Sequence, residues 1–448
     1  MKIFSSKPLE LLIGLMAVTA GAASAQARSS IPATDKVLAD RAARIYSIGA
    51  EDGESWELLS GVRAVAFDAR DNLYVLDGNN YRILVFDANG RFLRQISKQG
   101  GGPGELMAPI GMTVTTDGFI AVGDLGRRAF SLFKTDGAFV KNIEFGDGAM
   151  PAIGPNNGIE AHPRHGVVAG SGLALSFGRG RSGPEQLEGG PTGERKAPVR
   201  WWDLGTSTPS TPATRDGVNV PAGAAKTAQL YAFTLPSITP KVTDSGGSGA
   251  ERRVQVMVRV PTWQVQPYFG VMPSGGLAIS YDKDYRLALI SPSGTVERII
   301  ERPIKARKAT EKDKKAAIDR QRENMKSGTG ATMVRVGDGG RMSMGPGPRG
   351  ELPSVEEMLR SATFEEFIPV IRRLETDPQG RIWVARMPTD FGQAGPIDII
   401  RANGTYIGTL ANDRTPDAVS RSGRAAWIER DDLGVEHVVV KRLPATWQ

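Results

Sequence analysis

Ala64-Val65-Ala66-Phe67, Asp71-Asn72, Leu73-Tyr74-Val75-Leu76, Asp77-Gly78-Asn79-Asn80, Ile83-Leu84-Val85-Phe86, Asn89-Gly90 and Phe92-Leu93 follow one another without a gap long enough for a helix. Short apolar runs separated by Asp, Asn and Gly predict four strands joined by tight turns, an up-and-down meander. The next segment repeats the plan. Met112 to Val114 leads to Asp117-Gly118, then Phe119 to Val122, Asp124-Leu125-Gly126, Phe130 to Phe133, Asp136-Gly137 and Phe139-Val140.

The first turn of each meander serves as a phase marker. It falls at Asn72, Gly118, Gly166, Gly276, Gly380 and Gly423, with steps of 46, 48, 110, 104 and 43 residues. The three short steps have the length of a four-stranded propeller blade. A lone meander leaves both faces and both edges uncovered, whereas radial repetition packs each sheet on its neighbours. The expected fold is therefore all-β: a single six-bladed β-propeller of four-stranded antiparallel blades. The sixth unit, ending at Val438 to Leu443, lacks a fourth strand. Arg44-Ile45-Tyr46-Ser47-Ile48, ahead of the first blade, is expected to supply it and close the ring.

The two long steps predict two loop and helix insertions, at about 178–250 and 303–367. The first is rich in Gly, Ser, Thr and Pro; Val199 to Asp203 interrupts it and is expected to be the outer strand of blade 3. In the second, Thr310 with Asp313 caps a helix from Glu311 to Met325, and Ser354 with Glu357 caps a shorter one. Residues 301–326 hold ten Lys or Arg against five Asp or Glu, so much of the net charge of +7 is local. The acids are interspersed and no aromatics accompany the bases, which points to a solvated helix and away from nucleic acid.

Of 448 residues, 54 are Gly and 29 are Pro, too many for a mainly helical chain. With no cysteine there is no disulfide, thiolate metal site or cysteine nucleophile. Lys2 and Lys7, an apolar run from Leu11 to Ala20 and Ala23-Ser24-Ala25 have the pattern of a signal peptide over residues 1–25. Residues 26–448 are then exported, periplasmic or secreted, with no membrane span left after cleavage.

The stretch from Val75 to Asp87 (strand, Asp77, turn, Arg82, strand), followed by Gly90 and by Gly100-Gly101-Gly102-Pro103-Gly104-Glu105, resembles the NHL-type six-bladed β-propeller family and the wider group of exported bacterial propellers. The second copy keeps Asp124 but has Arg128 one place early; the fourth keeps Arg286 and the fifth has Arg386 at the Asp position. The resemblance implies a propeller that binds proteins or other ligands. It implies little about chemistry, because one fold hosts many functions.

The loops between second and third strands bring Asp77, Asn79, Arg82, Asp124, Arg127, Arg128, Asp282, Arg286 and Arg386 to one end of the ring, the candidate binding face. Arginine there suits carboxylate or phosphate groups, though ion pairs between blades are the plainer reading for Arg82 and Arg286. The glycines at 100–104 lack the Lys-Ser/Thr of a phosphate cradle. His162 and His165 abut a first-hairpin turn, at the end of the ring away from the second-strand loops, and His437 lies in a late strand of the last blade, so neither a zinc set nor a catalytic triad is expected. The expectation is a non-catalytic binding scaffold for a protein, peptide or glycan, a monomer without cofactor and without nucleic acid. The alternative is a metal-dependent enzyme of the calcium lactonase or lyase kind, with carboxylates turned into the channel.

Overall fold

The computed structural model describes residues 27–145, 158–163, 166–170, 195–205, 214–215, 218–219, 226–235, 241–244, 254–257, 261–326, 334–336, 342–344, 355–360, 362–391, 393–411 and 413–447. Six four-stranded antiparallel blades stand in a ring. Blade 1 is Val62–Phe67, Leu73–Asp77, Arg82–Phe86 and Phe92–Ile96, in that order from the channel outwards. Blade 2 is Pro109–Val114, Phe119–Asp124, Ala129–Lys134 and Phe139–Glu144. Each expected first turn lies between the first two strands of its blade, and the left-handed backbone it needs is supplied by Asp71, Gly118, Gly166, Gly275, Gly380 and Gly423. At Gly166, φ is 117° and an added Cβ would stand 2.2 Å from the Trp202 carbonyl oxygen, so only glycine fits.

Blade 3 corrects one expectation. Its strands are Glu160–Ala161, Val167–Gly170, Arg195–Asp203 and Lys226–Leu235. The segment with Val199 to Asp203 is the third strand, not the outer one, because Lys226–Leu235 pairs along its whole length and covers its far edge. Two blade strands thus lie inside the stretch assigned to the first insertion. Blade 4 is Tyr268–Val271, Leu277–Ser280, Arg286–Ile290 and Val296–Glu301; blade 5 is Ile371–Thr376, Arg381–Arg386, Ile397–Arg401 and Tyr406–Leu410.

Blade 6 has Ala418–Val419, Arg424–Arg430 and Glu436–Arg442, and its outer strand is Ala43–Ile48 from the start of the chain, antiparallel to Glu436–Arg442. The first and last parts of the chain therefore share one sheet, as the missing fourth strand required. An element absent from the sequence reading precedes it. Ala27–Ser30 adds a fifth strand to blade 4, parallel to Val296–Glu301. From there the chain crosses the rim of blade 5, where Val37 bridges Thr409, and reaches blade 6. Arg302 anchors this strap. Fully buried, it pairs with Asp398 (2.8 Å) and Asp35 (2.6 Å) and donates to the Pro32 and Ala33 carbonyls.

The core is six apolar clusters, one per seam between blades. Tyr74, Leu76 and Ile83 of blade 1 pack on Met112, Ile120 and Phe133 of blade 2. The sixth cluster joins Val438 and Val440 of blade 6 to Val65, Leu73 and Phe86 of blade 1. Trp383 of blade 5 and Trp427 of blade 6, one place out of phase in their strands, both enter the seam between those two blades. Each such side chain contributes roughly 1.5–3 kcal/mol by leaving water, so the seams hold the ring.

The second insertion is the link from blade 4 to blade 5. Helix α1 (Glu311–Lys326) starts as expected: the Thr310 N–H donates to Asp313 Oδ2 (2.9 Å), and the Asp313 N–H donates back to Thr310 Oγ1 (3.3 Å). Helix α2 is Val355–Arg360; its expected cap, Ser354, lies outside the described residues, as do the signal peptide and His165. Among the described residues no helix is long and apolar enough to cross a membrane.

Candidate functional site

The links between blades, the starts of the inner strands and the loops between second and third strands all lie at one end of the ring. The sequence-derived residues stand there, spread over four blades, and most are committed to the chain itself. Asp77, fully buried, accepts from the Ser60 N–H (2.9 Å) and from Arg82 Nε (2.8 Å). Arg82 in turn donates to the carbonyls of Ser55 and Leu58. Asp124 repeats this, accepting from the backbone of Met107 (2.8 Å), Ala108 (2.9 Å) and Gly126 (3.0 Å). Its arginine is Arg127, which pins the Gly100, Gly102 and Glu105 carbonyls. In blades 1 and 2 the Asp–turn–Arg pattern is thus a bracket that ties the blade to the link before it.

Arg128 is left exposed, with φ at 55°. Asn79 accepts from Arg63 (3.3 Å), and Asp282 accepts from the Asp284 N–H (3.0 Å). Arg286, half exposed, lies 3.5 Å from Glu301. Arg386 binds Asp35 (2.7 Å) and Asp398 (3.3 Å), so it helps hold the strap. These side chains do not converge on one cavity.

A second set does converge, on the inner strands of blades 3 to 6. Glu160, Gly270 and Glu375 occupy the same position, next to last in their strands. Gly270 has no room for a side chain, since a Cβ would meet Thr376 at 2.6 Å. Blade 4 therefore puts nothing between the two glutamates. Glu160 accepts from the Val271 N–H (2.7 Å). Burial, and then the charge of Glu375, push its carboxyl up to about 8 against that hydrogen bond. Glu375 is also raised by burial, but Arg373 at 2.8 Å opposes this. Arg373 bridges onward to Asp417 (3.2 Å) of blade 6, and both carboxylates hold its guanidinium firmly protonated against burial.

Above this layer stand three arginines with no carboxylate partner among the described residues. Arg372 donates only to the Arg386 carbonyl (3.2 Å) and Arg320 of helix α1 only to the Phe391 carbonyl (2.7 Å); Arg414 is exposed on the link to blade 6. Burial, then the charges of Arg373, Arg320 and Arg414, lower the pKa of Arg372. The inner strand has an irregular register between Ile371 and Arg373, and such bulges re-aim side chains. Tyr268, whose hydroxyl burial pushes up to about 12, closes the side towards blade 4.

Arg372, Arg320 and Arg414 come from three segments 42 to 52 residues apart along the chain, with no shared motif. Composition showed a basic second insertion but not that its helix would bring one arginine to the channel mouth. Chemically the mouth can take an anion, and the layer beneath it holds one protonated carboxyl. Among the described residues no three His, Asp or Glu side chains are grouped to hold a metal ion. His162 is buried against the Gly275 carbonyl (3.2 Å), and His437 lies 3.1 Å from Asp431 on another blade.

A family model described as a 6-bladed β-propeller matches residues 55–152, which span blades 1 and 2. No curated protein matches the chain. Among solved structures, a Bacteroides fragilis protein assigned as exported is 12% identical, with 93% of this chain and 99% of that one covered and a TM-score of 0.42. A duf4221-family protein from Bacteroides vulgatus is 12% identical over 90% and 98% of the two chains, at a TM-score of 0.41. Virginiamycin B lyase from Staphylococcus aureus is 9% identical over 89% and 99%, at 0.31. No chemistry is carried across from them. The chain folds as a six-bladed β-propeller.

Proposed function

We propose that this chain is an exported propeller that binds an anionic group, a carboxylate or phosphate, of a protein, peptide or glycan at the mouth of its channel. One observation carries the reading: Arg372, near the mouth, lies within reach of the charges of Arg320 and Arg414, and none of the three has a carboxylate partner among the described residues. Three guanidiniums held together without counter-charge repel one another, and a bound anion relieves that repulsion. Arg373, already paired with Glu375 and Asp417, backs the site without competing for the ligand. The N-terminal pattern of residues 1–25 supports export, and the Asp–turn–Arg brackets support kinship with NHL-type propellers. The reading assigns the propeller no catalytic step and no cofactor, and takes it as a monomer.

The test uses residues 26–448 with inorganic phosphate and citrate as probes, read by thermal shift and calorimetry. Both should raise the Tm of the wild type, and Arg372→Gln should weaken binding by about tenfold, equivalent to one charged hydrogen bond. Arg128→Gln, an exposed arginine on the same end, should leave binding unchanged. Equal binding by wild type and Arg372→Gln would overturn the assignment.

A further inference from the structure

Beside the arginines is an aromatic group that no seam uses. Trp263 lies 5.2 Å from Phe364 and 5.8 Å from Phe391, nearly parallel to the latter at 23°. All three are half-buried, and none belongs to the six apolar clusters between blades. Phe391 belongs to both neighbourhoods: its ring stacks on Trp263 and its carbonyl receives Arg320. The rings are fixed from the backbone. The Thr262 N–H donates to Thr363 (2.8 Å) and the Glu365 N–H to Thr262 (2.9 Å), so the segment before blade 4 and the end of the second insertion form a short parallel pair.

Trp263 sits at φ 69°, left-handed, in a turn closed by the Gln264 N–H on the Pro261 carbonyl (3.1 Å). A bulky residue in that region costs on the order of 1–3 kcal/mol and persists where the surroundings impose it, which is common at ligand sites. Here the strain sets an indole against Phe391, whose carbonyl holds Arg320, outside the core that would otherwise repay it.

We infer that the ligand of this mouth is an acidic glycan, a chain of uronic acid units, with a pyranose ring on Trp263 and its carboxylate on Arg372 and Arg320. This rests on the anion-binding reading above. The C–H-rich face of a pyranose packs on an aromatic face, and a ring carboxylate lies in reach of guanidiniums at its edge. A peptide of Asp and Glu would use the arginines but offers no C–H-rich ring face to the indole.

The test titrates residues 26–448 with a short oligogalacturonate, a neutral malto-oligosaccharide, a poly-glutamate peptide and inorganic phosphate, read by calorimetry and tryptophan fluorescence. The oligogalacturonate should bind most tightly and the neutral sugar should not bind. Trp263→Ala should weaken the oligogalacturonate about tenfold while leaving phosphate unchanged, Trp263→Phe should retain most of the affinity, and Arg372→Gln should weaken both ligands. Thermal melts of each variant establish that it is folded. Oligogalacturonate binding that Trp263→Ala leaves intact, or poly-glutamate bound at least as tightly, overturns the glycan assignment alone. Absence of binding by every anion overturns the reading on which it rests.

Discussion

Glu160 carries a proton at neutral pH because the inner strands bury it beside Glu375 and leave it one backbone donor. Its folded value of about 8 lies above the ordinary 4.5, so between these the folded chain holds a proton that the unfolded chain has lost. This group's contribution to stability is therefore complete below about pH 4.5 and declines as pH rises towards 8. Glu160→Gln keeps an acceptor for the Val271 N–H and removes the titration. Urea melts should show the variant more stable than wild type at pH 9, by about 1 kcal/mol or more, with the gap closing towards pH 5. Identical pH profiles would exclude Glu160 as the group responsible. The bracket residues make a different prediction. Asp124→Ala strands the N–H groups of Met107, Ala108 and Gly126 and should cost about 3 kcal/mol in a urea melt, whereas Arg128→Ala should stay within about 0.5 kcal/mol. At this scale Asp77 and Asp124 were legible as turn residues of the repeat with side chains suited to cap backbone, but not which backbone groups they hold. A carboxylate aimed at a ligand and one folded back on its own backbone have the same sequence.

Among the elements, Ala43–Ile48 decides whether the ring is closed. It covers the edge of Glu436–Arg442, and Ile48 enters the seam between blades 6 and 1. Glu436 reinforces that seam by accepting from the Val62 N–H (2.7 Å). Deleting residues 42–49 should lower the Tm by roughly 10 °C or more in one cooperative step, since several apolar side chains return to water. A melting curve like that of the full chain would show that closure adds nothing. The closing strand was legible because the last repeat lacks one strand and the first is preceded by a spare one. Ala27–Ser30 was not, since Ala-Arg-Ser-Ser has no apolar alternation. Its place is set by blade 4's open edge and by Arg302, whose buried guanidinium collects Pro32, Ala33, Asp35 and Asp398. In blade 3 the long strand Lys226–Leu235 stands among turn-forming residues, so by sequence its neighbour reads as the outer strand.

For the whole molecule, the six seams explain how a ring without cysteine closes around one channel: each blade buries both faces, and the last is sewn to the first. The ring also brings together groups that the chain keeps apart. Arg320, Arg372 and Arg414 arrive from a helix, an inner strand and a link, and Trp263 from the approach to blade 4. The blade count, the turn positions, the closing strand and the capped helix in the second insertion are legible in the chain, because they follow from local alternation, turn chemistry and a constant repeat. Which charges are compensated is set by how the blades pack against one another. Pairing Arg373 of blade 5 with Asp417 of blade 6, and none of the described carboxylates with Arg372, depends on side-chain direction across blades, which no linear spacing encodes.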